Sequence, residues 1–199
     1  MQRRLRTETK SSGKRITPSP LAERVFLLLQ RYRYLPTSHI HAHVGGNKLH
    51  LQHLLTDLHH EANTPHGGRY LDRPRQRLEF ANLFYRPEIY ENSERAFSHL
   101  RDRDLFEPIA YKLTHPGRHN PHREFPHEVM ACEITSSIEL GAKGAGIEFI
   151  AEHRVLDRSP QTTRERGNPF TLVVGSTRLT PDRMFGLRYG SGKVRFFAL

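Results

Sequence analysis

Cysteine is almost absent: Cys132 is the only one in 199 residues. One thiol cannot close an intramolecular disulfide, which fits a reducing cytoplasm as the expected location. Long apolar runs are missing too. None approaches the roughly 20 residues of a bilayer-spanning helix, so no membrane partner is expected. The N-terminus is charged with no apolar segment behind it, unlike a secretory signal. Acidic residues are the third shortage: 21 Asp plus Glu face 31 Lys plus Arg, for a formal net charge of +10 and a sequence pI near 10.2. That surplus favours a polyanionic partner, with DNA or RNA ahead of an acidic membrane surface. The 14 histidines make the surplus pH-dependent, because an unperturbed imidazole titrates at about 6.5.

The chain has room for two small domains. Residues 1–20 hold Arg3, Arg4, Arg6, Lys10, Lys14 and Arg15 against Glu8. So little apolar surface reads as a flexible basic arm suited to phosphate contact. From Leu21, Ala22, Val25, Phe26 and Leu29 recur at helical spacing, predicting a helix over 21–33. Pro36 interrupts it, and Thr37 or Ser38 caps a short second helix through Val44. Gly45-Gly46 makes a turn, and Asn47 caps a third helix to about His60 that buries Leu51, Leu54, Leu55 and Leu58. Two strands are expected, around Arg69-Tyr70-Leu71 and from Leu83-Phe84-Tyr85 to Ile89-Tyr90, enclosing a wing. A helix capped by Ser93 then buries Ala96, Phe97 and Leu100. Together these predict a winged helix-turn-helix domain over 21–106.

Residues 107–126, rich in proline and polar side chains, read as a linker. A helix is expected from His127 to Leu140, with Met130, Ile134 and Ile138 facing inward. Strands follow over Ile147–Leu156, Phe170–Val174, Arg178–Thr180, Phe185–Tyr189 and Val194–Leu199, with a polar loop at 157–169. One helix followed by several strands makes the whole chain α+β.

Several features carry candidate chemistry. The solvent face of the third helix offers Asn47, Lys48, His50, Gln52 and His53. Asn and Gln pair with adenine through two hydrogen bonds, and Lys favours guanine or phosphate. Arg69, Arg73, Arg75 and Arg77, around the wing, suit phosphate contacts that add affinity without reading sequence. His39 and His43, and His50 and His53, have spacings that zinc sites use, though with no cysteine nearby. The loop set His115, His119, His122 and His127 is irregular. Asp182, in Leu179-Thr180-Pro181-Asp182, stands at a strand start where a carboxylate can ligate Mg²⁺ for phosphodiester chemistry. One carboxylate rarely holds such a metal, and Glu133, Glu139 and Glu148 are acids that could approach it.

These pieces in this order resemble the replication-relaxation proteins of bacterial plasmids and integrative elements, a group related to the MobC-type relaxases. The likeness rests on the winged helix ending in Tyr85–Tyr90, the helix from Ser93, the helix opening His127-Glu128-Val129, and Leu179-Thr180-Pro181-Asp182 with its following strand. It implies a DNA-binding winged helix joined to a restriction-endonuclease-like α/β domain over 127–199. It also implies a role in plasmid replication, DNA relaxation or conjugative mobilisation, with double-stranded DNA as partner. A homodimer, or the proteins of a mobilisation or replication complex, are further expected partners. By position, Asp182 would be the family's first acidic residue and its Mg²⁺ ligand. The next acid would follow a strand like Val194–Leu199, so the nuclease-like domain is expected to be truncated. DNA binding is therefore the expected function. An active Mg²⁺-dependent nicking enzyme and a winged-helix transcription regulator stand as alternatives.

Overall fold

The computed structural model describes residues 11–64, 67–74, 88–106, 121–157, 159–165 and 171–199. The chain divides into two compact units, Met1–Cys132 and Glu133–Leu199. Both contain helix and sheet, in agreement with the α+β class.

In the first unit, helix α1 (Pro20–Tyr32) opens at Ser19, whose hydroxyl accepts the Ala22 N–H. Proline in the first turn forfeits no bond, since that N–H has no intrahelical partner. The apolar stripe of Ala22, Val25, Phe26 and Leu29 is buried as its spacing predicts. The helix ends at Arg33, which takes a φ of +68° while the Tyr34 N–H donates to the Tyr32 carbonyl at 2.9 Å. A non-glycine residue there is strained, and contacts from elsewhere hold it. The Arg33 guanidinium donates to Glu128 at 3.0 Å and lies over the Tyr34 ring.

Strand β1 (Leu35–Pro36) leads directly into α2 (Thr37–Val44). Gly45 and Gly46, both at positive φ, turn the chain into α3 (Lys48–His60). Strands β2 (Leu71–Asp72) and β3 (Ile89–Asn92) complete an antiparallel sheet in the order β1-β3-β2, with Leu35 opposite Tyr90 and Leu71 opposite Asn92. Helix α4 (Glu94–Asp102) follows the Ser93 cap. The buried Asn92 amide donates to the Phe26 carbonyl at 2.8 Å, tying β3 to α1. Leu83–Tyr85, expected to open the second strand, lie outside the described residues.

Helix α5 (Pro121–Gly144) departs from expectation twice. It begins six residues before His127, so 121–126 are helical and not linker; 107–120 lie outside the described residues. Pro126 sits inside it, where a proline costs a backbone bond, but Phe125 and Val129 on either side are buried in the first unit's core. Phe125 meets Tyr34 edge-on at 5.1 Å, and the Cys132 thiol donates to the Tyr32 carbonyl. The second departure is the face. Met130 and Ile134 are exposed, at 50% and 38%, and Ile138 is half-buried. Beyond Phe125 and Val129, the buried positions are Ala131, Cys132, Thr135, Ser136 and Ala142. Small side chains occupy the buried positions after Val129, so Met130 and Ile134 do not mark them.

In the second unit, β4 (Glu148–Ile150) is shorter than the strand expected over 147–156, because α6 (Glu152–Asp157) starts two residues later. Within the expected loop 157–169, Gln161–Arg164 form the short helix α7. Strands β5 (Leu172–Val174) and β6 (Thr177–Leu179) make a separate hairpin. Strands β7 (Met184–Arg188) and β8 (Val194–Ala198) join β4 in an antiparallel sheet ordered β4-β7-β8. On one face the rings of Phe149, Phe185 and Phe197 stack in a row, 5.5 and 5.3 Å between centroids. On the other, Ile150 and Phe196 close over Gly186, where an added Cβ would meet both at 3.0–3.2 Å. No helix among the described residues is long and apolar enough to cross a membrane.

Candidate nucleic-acid interface

Helix α3 divides sharply into two faces. Leu51, Leu55 and Leu58 are buried, and Leu54 packs partly behind them. Asn47, Lys48, His50, Gln52 and His53 are all exposed. Asn47 has a structural duty as well, since its Oδ1 accepts the His50 N–H at 3.0 Å and caps the helix. That leaves its Nδ2 for outside partners. Thr56 turns its hydroxyl back onto the Gln52 carbonyl. Leu49, which the residue-type search for polar readers passed over, is 60% exposed. With Gln52, His53 and Thr56 it follows i, i+3, i+4, i+7 spacing and so shares one helix face. An exposed leucine among polar residues is the kind of group that meets a thymine methyl.

Charge on this segment is one-sided. From Thr37 to His60 the only acid is Asp57, and Lys14 pairs with it. The chain N-terminal to α1 is fastened to the far end of the same helix. Ser11 and Ser12 hydroxyls donate to the Glu61 carboxylate at 2.7 Å, and the Ser12 N–H adds a bond at 2.9 Å. Those bonds lower Glu61 to about 2, the Ser12 side chain contributing most. Ile16 N–H donates to the Asn63 carbonyl, and the Ile16 side chain is buried. The part of the basic arm over 11–20 is thus built onto the fold, while 1–10 lie outside the described residues.

The arginines proposed for phosphate contact separate into different environments. Arg69 is partly exposed and pairs with Asp72. Arg73 has a side chain only 8% exposed; it donates to the Tyr90 hydroxyl at 2.7 Å, lies over that ring and faces Glu88. A guanidinium so placed brackets β3 from inside the fold. Arg75 and Arg77 lie outside the described residues. His59, on the inner side of α3, is buried and its Nδ1–H donates to the Leu71 carbonyl at 3.0 Å. Burial lowers it to about 4, with Arg73, His60 and Arg69 pushing the same way and the Leu71 bond opposing. It joins α3 to β2 as a neutral ring.

Asp182 offers a second place to look for chemistry. Its side chain is exposed and its N–H donates to the Leu199 carbonyl at 2.8 Å, just before β7. The next residue, Arg183, is buried and faces Glu152 at the start of α6. Burial raises Glu152 to about 7, opposed by Arg183 and by the Met184 N–H, which its carboxylate accepts. This acid is not among those expected to approach Asp182; it opens α6, where a continuous strand was expected. Among the described residues no three His, Cys, Asp or Glu side chains come together in a way that could hold a metal ion. That covers the spacing pairs His39/His43 and His50/His53 as well as Asp182. Mg²⁺ requires several oxygen ligands, usually more than one carboxylate. The described donors around Asp182 do not meet that requirement, so no catalytic step is assigned to it. Comparison of the chain with protein-family models, with curated proteins and with solved structures found no match in any of the three.

Proposed function

We propose that the first unit is a winged helix-turn-helix domain that binds double-stranded DNA, with α3 as its recognition helix. The observation that carries this reading is the exposed face of α3. It presents Lys48, Leu49, Gln52 and His53, and the segment's only acid, Asp57, is paired. Two further features support it. The element order α1-β1-α2-α3-β2-β3, with a sheet ordered β1-β3-β2, is the order in which a winged helix is assembled. The overall charge of +10 supplies the sequence-independent attraction that DNA binding needs. Lys48 then contacts phosphate or guanine, and Gln52 and Leu49 read base edges. Carried over from the family resemblance, the second unit is the restriction-endonuclease-like domain of a plasmid replication, relaxation or mobilisation protein, and the protein works in the cytoplasm.

Fluorescence anisotropy with a labelled mixed-sequence duplex, repeated across a salt series, tests the reading. The wild type should bind with a Kd of roughly 1–100 µM at physiological salt and weaken steeply as salt rises. Lys48→Ala should reduce the salt slope by about one, and Gln52→Ala should cost affinity on a preferred site without changing that slope. Unchanged affinity and slope in the double variant would sink the assignment of α3.

A further inference from the structure

We propose that β8 is a self-pairing edge strand: two copies of this chain join antiparallel through Val194–Ala198 to form one six-stranded sheet. The proposal is independent of the DNA reading and rests on the second unit alone.

The two edges of the β4-β7-β8 sheet are unlike. Strand β4 is three residues long, and its exposed Glu148 is paired with Arg188 at 2.9 Å. A short, charged strand is a blunted edge. Strand β8 has five residues, no proline and no acid, and Arg195 is its only charge. Phe196 is 54% exposed, Phe197 38%, and Leu199 just beyond them 40%. Among the described residues, no strand pairs with its outer side.

The backbone fixes which groups that side offers. Lys193 accepts from the Tyr189 N–H, and Leu199 donates to the Arg183 carbonyl, both toward β7. Side and backbone directions alternate every residue along a strand, so Arg195 and Phe197 also bond toward β7. Val194, Phe196 and Ala198 therefore turn their N–H and C=O groups to the open edge. A second β8 centred on Phe196 meets all of them: Phe196 faces its own counterpart, and Val194 faces Ala198 of the other copy. Each is then a hydrogen-bonded pair.

The side chains agree with that register. Arg195 falls opposite Phe197 of the second copy in the closer, non-hydrogen-bonded pairing, where a guanidinium and an aromatic ring attract. No like charges meet. The two Phe196 rings come together on the face where each closes over Gly186. A segment that satisfies its own edge groups and matches its own side chains in one register is what an isologous two-fold interface requires.

Sedimentation equilibrium of the full chain at tens of micromolar should give a mass of about twice 23.1 kDa. Ala198→Pro removes an edge N–H that β7 does not use, a position where proline is tolerated in a strand, and should give a monomer with unchanged far-UV circular dichroism. Cysteine cross-linking tests the register even where that variant fails to fold. Hydrogen-bonded partners stand about 5.5 Å apart at Cα, within disulfide reach, and the native Cys132 is buried. Phe196→Cys should therefore form a covalent dimer under mild oxidation. Val194→Cys should not do so alone, but should link to Ala198→Cys in a mixture. A monomeric wild type overturns the proposal, as does cross-linking of Val194→Cys as readily as Phe196→Cys.

Discussion

The two units spend their apolar residues differently. In the first, Phe26, Leu29, Leu35, Ile40, Leu51, Leu55, Leu58 and Tyr70 are almost wholly enclosed. Helices α1, α3 and α4 and the small sheet each direct a stripe into that one cluster. In the second, Ile150 and Phe185 are the large apolar side chains buried among the described residues, while Val173, Val174, Leu179, Phe196 and Phe197 remain open to solvent. Interior packing explains almost every large apolar residue described in the first unit. It leaves several in the second unexplained, and a partner strand accounts for those on β8. Apolar content alone does not say where a core is; the direction in which an element points its side chains does.

The comparison can be broken most directly by truncating one residue from each unit. Phe26 is fully buried and stacks on Tyr70 at 5.4 Å. Phe26→Ala should lower stability by about 3–5 kcal/mol in urea unfolding. Val173→Ala, at a position 64% exposed, should change it by less than about 0.5 kcal/mol. Similar losses at both sites would mean that the units do not differ as described. An effect between those two is expected from Gly186→Ala, which sharpens the contrast within the second unit. The new methyl meets Ile150 at 3.2 Å and the Phe196 ring at 3.0 Å. The exposed ring can swing away while Ile150 cannot, so the loss should be about 1 kcal/mol. A gain in stability would show that the sheet has room there.

The least costly perturbation is pH. His59 is buried neutral with a folded value near 4, against 6.5 when free. Between those values the unfolded chain takes up a proton that the folded chain refuses. The stability due to neutral His59 is therefore complete above about pH 6.5 and is lost as the pH falls toward 4. The Tm should decline across that window, and His59→Gln should flatten the decline. A slope that survives the substitution would assign it to other groups.

The helical part of the first unit was legible because local rules and packing agree there. Asn47 and Ser93 cap the helices they precede, and the α1 and α3 stripes face the core at the spacing that predicts them. The cap expected of Thr37 or Ser38 does not form: Thr37 is already the first residue of α2, Pro36 holds the cap position without a side-chain bond, and the Thr37 hydroxyl donates to the Glu88 carbonyl instead. The sites where reading failed share a physical cause: tertiary contacts override local preference. Pro126 reads as a break, yet the burial of Phe125 and Val129 carries α5 through it. Met130 and Ile134 read as core, but the inner stripe is made of Cys132, Thr135 and Ser136. Arg73 reads as a charge suited to phosphate contact, and only the fold shows Tyr90 and Glu88 around it. Of the candidate interface, the polar face of α3 was recognisable by residue type. Leu49 was not, because an exposed leucine looks like any other until its burial is known. Glu152 lay hidden for the converse reason, its place depending on where β4 stops.

The anchoring of Tyr34 by Phe125 sets an order of events during synthesis. The first unit's core is incomplete when residue 106 is made, although a boundary there looks natural in the sequence. Phe125, Val129 and Cys132 have yet to arrive, and without them Tyr34 is uncovered and Arg33 has no Glu128. At about 5–20 residues per second, the nascent chain waits a second or more for its last piece. A fragment ending at residue 106 would lack those three core residues and the Arg33–Glu128 pair.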